Sequence, residues 1–96
     1  MGQKPTYRID GAAFGDLSGF YDEVGEQLLK GEPWGRNLDA FEDILRGNFG
    51  PLPSEFRIVW EHSTLSHQRL SASGKGSFTE LLVIIASHPN VELVLS

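Results

Sequence analysis

Three carboxylates stand close together near the middle of the chain, where Asp39, Glu42 and Asp43 fall within the stretch WGRNLDAFEDILRG at residues 34–47. Residues three or four apart meet on one face of a helix, and like charges there repel each other and weaken the helix slightly. Such a cluster could provide acid and base groups, hold a hard metal ion through oxygen ligands, or bind a positively charged partner. The choice depends on what accompanies it.

The residues that usually accompany catalytic carboxylates are missing. The chain has no cysteine, which excludes thiolate ligands, a cysteine nucleophile and disulfides. His62, His67 and His88 have no metal-ligand spacing, and we interpret them as surface residues, with His88 complementing the end of the last helix. KGEPWG and SGKGSF do not match the phosphate-binding loop pattern. We predict a protein that is not an enzyme and that needs no cofactor or metal.

The charge of the chain favours a basic partner. Thirteen acidic residues against eight basic ones give a formal net charge of −5, and the basic residues are scattered singly. Nucleic-acid binding requires a clustered basic surface. We therefore predict that the protein does not bind nucleic acid and that its partner is a basic protein. No apolar run is long enough for a signal peptide or a membrane span, and together with the lack of cysteine this predicts a cytoplasmic protein that does not bind a membrane.

The periodicity of the apolar residues predicts six elements along 96 residues, which we interpret as one domain, 1–96. These are a strand at 6–9, a helix between Asp16 and Gly31, a helix between Asn37 and Gly47, a strand at 56–60, a helix from Ser77 to His88 and a strand at 91–95. LLVII could instead pair with VELVL as a hairpin, but the capping-box spacing of Ser77 and Glu80 favours the helix. Residues 61–76 are polar and indicate a loop or a short irregular turn of helix.

The order strand, helix, helix, strand, helix, strand is typical of an α/β fold. Strands separated by helices form crossover connections, which produce a parallel sheet with helices packed against it. We therefore predict a small three-stranded parallel sheet. In this arrangement the acidic helix at 37–47 belongs to the first crossover, and its apolar stripe faces the sheet.

At WGRNLDAFEDILRG the sequence resembles the barstar family, the intracellular inhibitors of secreted bacterial ribonucleases. The resemblance is carried by Trp34-Gly35, Asn37-Leu38-Asp39-Ala40, Asp43, Leu45 and Gly47, and it extends more loosely through the FRIVW and VELVLS strands. It implies a barstar-like fold and a protein that is monomeric when free. It also implies one-to-one binding to a basic extracellular-type ribonuclease, whose active site the acidic helix blocks.

The resemblance also implies which residues bind the partner. Asp39 and Asp43 would stand in for RNA phosphates, with Asp43 inserted deepest. Around these two carboxylates, Asn37, Leu38, Ala40 and Gly47 match contacting positions of the family. We predict further partner contacts at the neighbouring residues Glu42, Trp34 and Arg46. The chain departs from a well-known member at Pro33, Glu42 and Asn48, which replace a tyrosine and two tryptophans, and Glu80 is the one acid near the corresponding turn of the last helix.

Three alternatives remain open from the sequence. The acidic residues could be a solvated helix face with Arg36 and Arg46 as local ion partners, and Trp34 could pack on the core rather than anchor an interface. The function could also be that of a barstar-fold binding module, such as an immunity protein or regulatory adaptor, for a different basic protein.

Overall fold

The computed structural model describes residues 4–70 and 76–96, which form a three-stranded sheet and four helices. The elements are β1 (Thr6–Asp10), α1 (Leu17–Gln27), α2 (Leu38–Leu45), β2 (Phe56–Glu61), α3 (Ser63–Arg69), α4 (Phe78–Ala86) and β3 (Val91–Leu95). The strands are all parallel, with β2 in the centre. The predicted α/β class and parallel sheet are confirmed, and the segment containing LLVII is a helix rather than half of a hairpin.

The two faces of the sheet differ in burial. Side chains alternate along a strand, and on β2 this alternation buries Phe56, Ile58 and Trp60 completely. The opposite face is exposed or half-buried, and on it Arg8 pairs with Glu61 at 3.0 Å and Arg57 pairs with Glu92 at 3.1 Å. The helices therefore pack against the apolar face, and the ion-paired face remains open to solvent.

Aromatic side chains join the helices to the sheet around Trp60. The ring of Phe20 on α1 stacks on Trp60 at 5.2 Å between centroids, and Phe41 on α2 meets Phe20 edge-on at 5.3 Å. Phe78 of α4 meets Trp60 edge-on at 5.1 Å. Full burial of each such side chain contributes roughly 1.5–3 kcal/mol, so this cluster fixes α1, α2 and α4 against one side of β2.

The predicted N-caps of three helices are confirmed. Asp16 accepts a hydrogen bond from the backbone N–H of Gly19 at 2.8 Å, Asn37 from Ala40 at 2.7 Å, and Ser77 from Glu80 at 3.1 Å. Each cap satisfies a backbone donor that the first turn would otherwise leave unpaired. The start of each of these helices was therefore readable from the sequence.

Helix α3 lies in the segment for which the sequence allowed a loop or a short turn of helix. It follows His62, which adopts a left-handed conformation with φ 53°. The hydroxyl of the fully buried Ser66 accepts a hydrogen bond from Trp60 Nε1 at 2.9 Å, and Arg69 donates to the carbonyl of Ala12 at 3.2 Å. Tertiary contacts thus hold α3 in place. Residues 71–75 of the same predicted loop lie outside the described residues.

Candidate functional site

The acidic helix α2 is anchored along one side and exposed along the other. Phe41, Ile44 and Leu45 are fully buried in the core. Asp39 and Asp43 lie on the exposed side, and Glu42 is half-buried beside them. Asp39 is in the first turn, where the helix dipole favours a negative charge. The structure therefore holds two carboxylates on a fixed surface that a partner can reach.

The two arginines near α2 have different partners. Arg46 contacts the Asp43 carboxylate from one turn further along the helix, and both side chains are more than half exposed. Arg36 turns toward α1, where it pairs with Asp22 at 2.7 Å and donates to the carbonyl of Ser18 at 3.4 Å. Arg46 is thus the local counter-ion of the acidic helix, whereas Arg36 ties the segment before α2 to α1.

Trp34 fixes the connection between α1 and α2. Its ring is half-buried and meets Tyr21 edge-on at 5.5 Å. A Cβ at Gly25 would lie 3.1 Å from the indole nitrogen of Trp34, so the absence of a side chain at Gly25 gives the indole room. The packing interpretation of Trp34 fits this position. Its predicted contact with a partner would use only the exposed part of the ring.

The remaining predicted contacts lie at the two ends of α2. Asn37 is exposed and caps the helix, while Leu38 and Ala40 in the first turn are half-buried. At the other end Gly47 has a φ of +88° and donates its N–H to the carbonyl of Ile44 at 3.1 Å. A residue with a side chain rarely adopts that conformation. Gly47 therefore has a structural role in ending the helix, whatever it contacts in a complex.

Two grooves flank the start of α2. One, of about 320 Å³, is lined by Leu17, Tyr21, Asn37, Leu38 and Asp39. The other, of about 450 Å³, runs between α1 and the connection that carries Trp34, and three carboxylates line it: Asp22, Glu26 and Glu32. Sequence reasoning missed these three acids. Asp22 and Glu26 share one face of α1 at i and i+4 spacing, which was the available signal.

Glu80, the acid of the last helix, already has a structural partner. Burial raises the pKa of the Tyr21 hydroxyl, the charge of Glu80 raises it further, and Arg36 opposes the shift. The Glu80 carboxylate accepts a hydrogen bond from the backbone N–H of Gly76 at 2.6 Å, which supports the start of α4.

The exposed carboxylates of α2 are placed to pair with cationic side chains. Within residues 4–70 and 76–96, no group of three or more histidine, cysteine, aspartate or glutamate side chains is placed to hold a metal ion. His62 bonds to Asp10 at 3.0 Å, at the end of β1. Over the part of the chain that the structure describes, no helix has the length and apolar character needed to cross a membrane.

Comparison with known proteins identifies the family. The family model described as "Barstar (barnase inhibitor)" matches residues 5–87, a range that runs from just before β1 to just beyond α4 and includes every predicted partner contact. A search of curated proteins found no match. Because the family model covers nearly the whole chain, the protein belongs to the barstar family, whose members are inhibitor proteins and not enzymes.

Proposed function

We propose that this protein binds a basic barnase-type ribonuclease one to one and blocks its active site with the carboxylates of α2. The observation that carries the proposal is the exposure of Asp39 and Asp43 on a helix whose other side is buried. An enzyme that binds RNA must present cationic groups to phosphates. Carboxylates held at fixed positions can occupy those groups in place of the substrate.

The fixed position of α2 favours tight binding. Asn37 caps the N-terminal end of α2, and at the C-terminal end of this helix the carbonyl of Leu45 accepts a hydrogen bond from Asn90 at 2.9 Å. Binding costs free energy when side chains and loops must first become ordered. Because the core and these bonds already hold the helix, little of that ordering remains for the complex to impose.

The acidic surface extends beyond α2. Glu26 and Glu32 line the groove beside Trp34 together with the ion pair of Asp22 and Arg36, and the chain as a whole carries a formal charge of −5. A surface with a net charge attracts a partner of the opposite charge over a distance and raises the association rate. The charges therefore support fast capture of a basic enzyme as well as binding once it has docked. We further propose that the free protein is a monomer that acts in the bacterial cytoplasm.

The first test is a titration of the protein into barnase activity at enzyme concentrations well above the expected dissociation constant. We expect activity to fall linearly and to reach its minimum at one equivalent. Asp39→Asn and Asp43→Asn each remove one charge and leave an enzyme cation unpaired, a change that costs ~2–5 kcal/mol and weakens binding at least about thirtyfold.

The matched control is Glu92→Gln, which removes one exposed carboxylate from the open face of the sheet, away from α2. We expect its affinity to stay within about twofold of the original protein, since a distant surface charge contributes little. Equal affinities for all three variants would contradict the assignment of Asp39 and Asp43. Absence of inhibition by the unaltered protein would exclude barnase-type enzymes as the target and favour a binding module for another basic protein.

A further inference from the structure

Arg46 brings a positive charge into the acidic surface of α2. Its guanidinium contacts the carboxylate of Asp43, with the two side chains 69% and 55% exposed. The backbone N–H of Arg46 bonds to the carbonyls of Glu42 and Asp43, so its main chain is fixed at the end of the helix. One carboxylate, that of Asp43, holds the guanidinium at the surface. A cation of the partner that approaches this carboxylate would therefore also approach the guanidinium.

The two acids proposed to bind the partner are therefore not equivalent. Among the ion pairs of the described residues, Asp43 has an internal cation and Asp39 has none. Exposed ion pairs are weak, because water screens the charges and two flexible side chains must be ordered. An incoming cation can displace such a pair, but it must compete with it.

We propose that Arg46 is an internal competitor that occupies Asp43 in the free protein and sets a threshold for the partner. A partner cation gains affinity at Asp43 only to the extent that it pairs with the carboxylate better than Arg46 does. Arg46 would thus determine specificity by opposing weak cationic partners, the role that an unfavourable element has in a selective interface. The inference rests on the proposed function, in that the partner is a basic protein.

The test compares Arg46→Gln with Arg8→Gln. Both substitutions remove one positive charge from an exposed, ion-paired arginine, with side chains 69% and 62% exposed, but Arg8 pairs with Glu61 on the open face of the sheet. We expect Arg46→Gln to bind barnase roughly two- to fivefold more tightly, the size of an exposed pair. Arg8→Gln should show only the smaller change due to net charge.

A double-mutant cycle separates competition from general charge. In the Asp43→Asn background there is no carboxylate to release, so Arg46→Gln should increase affinity no more than Arg8→Gln does. Equal effects of the two arginine substitutions on the unaltered background would overturn the inference. Weaker binding by Arg46→Gln would also overturn it and would indicate a direct contact between Arg46 and the enzyme.

A second probe keeps the inference distinct from the proposed function. Hexa-arginine peptide, titrated at low salt and followed by the NMR shift of the Asp43 carboxylate, should bind Arg46→Gln more tightly than it binds either the unaltered protein or Arg8→Gln. If barnase is not bound but the peptide shows this difference, the inference holds and the proposed target is wrong. Equal peptide affinities, or no measurable peptide binding to any of these proteins, would overturn the inference itself.

Discussion

Replacement of Ser66 by alanine should destabilise the fold through a single buried hydrogen bond. The indole N–H of Trp60 donates to the Ser66 hydroxyl at 2.9 Å, and both residues are fully buried. The same hydroxyl lies 3.4 Å from the carbonyl oxygen of Gly11, to which it donates. Alanine removes the acceptor of the indole N–H and creates little new space, so the main cost is an unsatisfied buried donor.

The size of the effect follows from that donor. A buried polar group left without a partner costs ~1–3 kcal/mol. In a domain of this size each kcal/mol lowers the melting temperature by about 4–8 °C. Ser87→Ala is the matched control, because its hydroxyl donates to the carbonyl of Ile84 at the exposed end of α4. That change should remain within about 0.5 kcal/mol.

The assay is urea unfolding followed by far-ultraviolet circular dichroism for Ser66→Ala, Trp60→Phe and the double variant. Phenylalanine has no N–H, so Ser66→Ala should cost clearly less in the Trp60→Phe background, where both bonding partners are gone. If Ser66→Ala costs the same in both backgrounds, or no more than Ser87→Ala, the buried hydrogen bond between Trp60 and Ser66 does not stabilise the fold.

Three further predictions concern charge, pH and backbone conformation. Association with barnase should slow by roughly tenfold or more from low to high salt, while dissociation changes less. Stopped-flow fluorescence measures both rates, and equal association rates at low and high salt would contradict electrostatic steering. The pKa of Asp10 lies below its ordinary value of 3.8, mainly because the Ala12 N–H donates a hydrogen bond to the carboxylate and secondly because His62 bonds to it. The ionised Asp10 carboxylate therefore stabilises the fold fully above pH 3.8, and this stabilisation is lost as pH falls through the lowered pKa. In urea unfolding, the free energy of unfolding of Asp10→Asn should therefore differ less from that of the unaltered protein at pH 2 than at pH 7. Gly47→Ala should cost at least ~1 kcal/mol in urea unfolding, because φ is +88° and a Cβ would lie 2.6 Å from the Ser54 carbonyl oxygen.

Most of the fold could be predicted because its signals are local. Caps such as Asn37 lie within three residues of the groups they satisfy, and the apolar stripes of α1, α2 and α4 repeat at helical spacing. Helix α3 has no comparable stripe. It depends on Ser66 meeting Trp60, on the left-handed His62 and on Arg69 reaching Ala12, and these contacts exist only once the chain has folded.

The candidate site was predictable to a similar extent. The exposure of Asp39 and Asp43 follows from the position of the apolar stripe on the same helix, and the pairing of Asp43 with Arg46 follows from their i, i+3 spacing. The groove beside α1 does not follow from either rule. Arg36 pairs with Asp22 because the connection before α2 folds back on α1, a tertiary arrangement that the order of residues along the chain does not encode locally.

The open face of the sheet has a practical consequence. The exposed side of α2 and the outward side chains of β1 and β3 lie on different surfaces, separated by the core. Because these 96 residues contain no cysteine, a cysteine introduced at an outward position such as Thr6 would be the only thiol among them. A fluorophore or surface linker could then be attached at that one atom, leaving the acidic helix free to meet its partner.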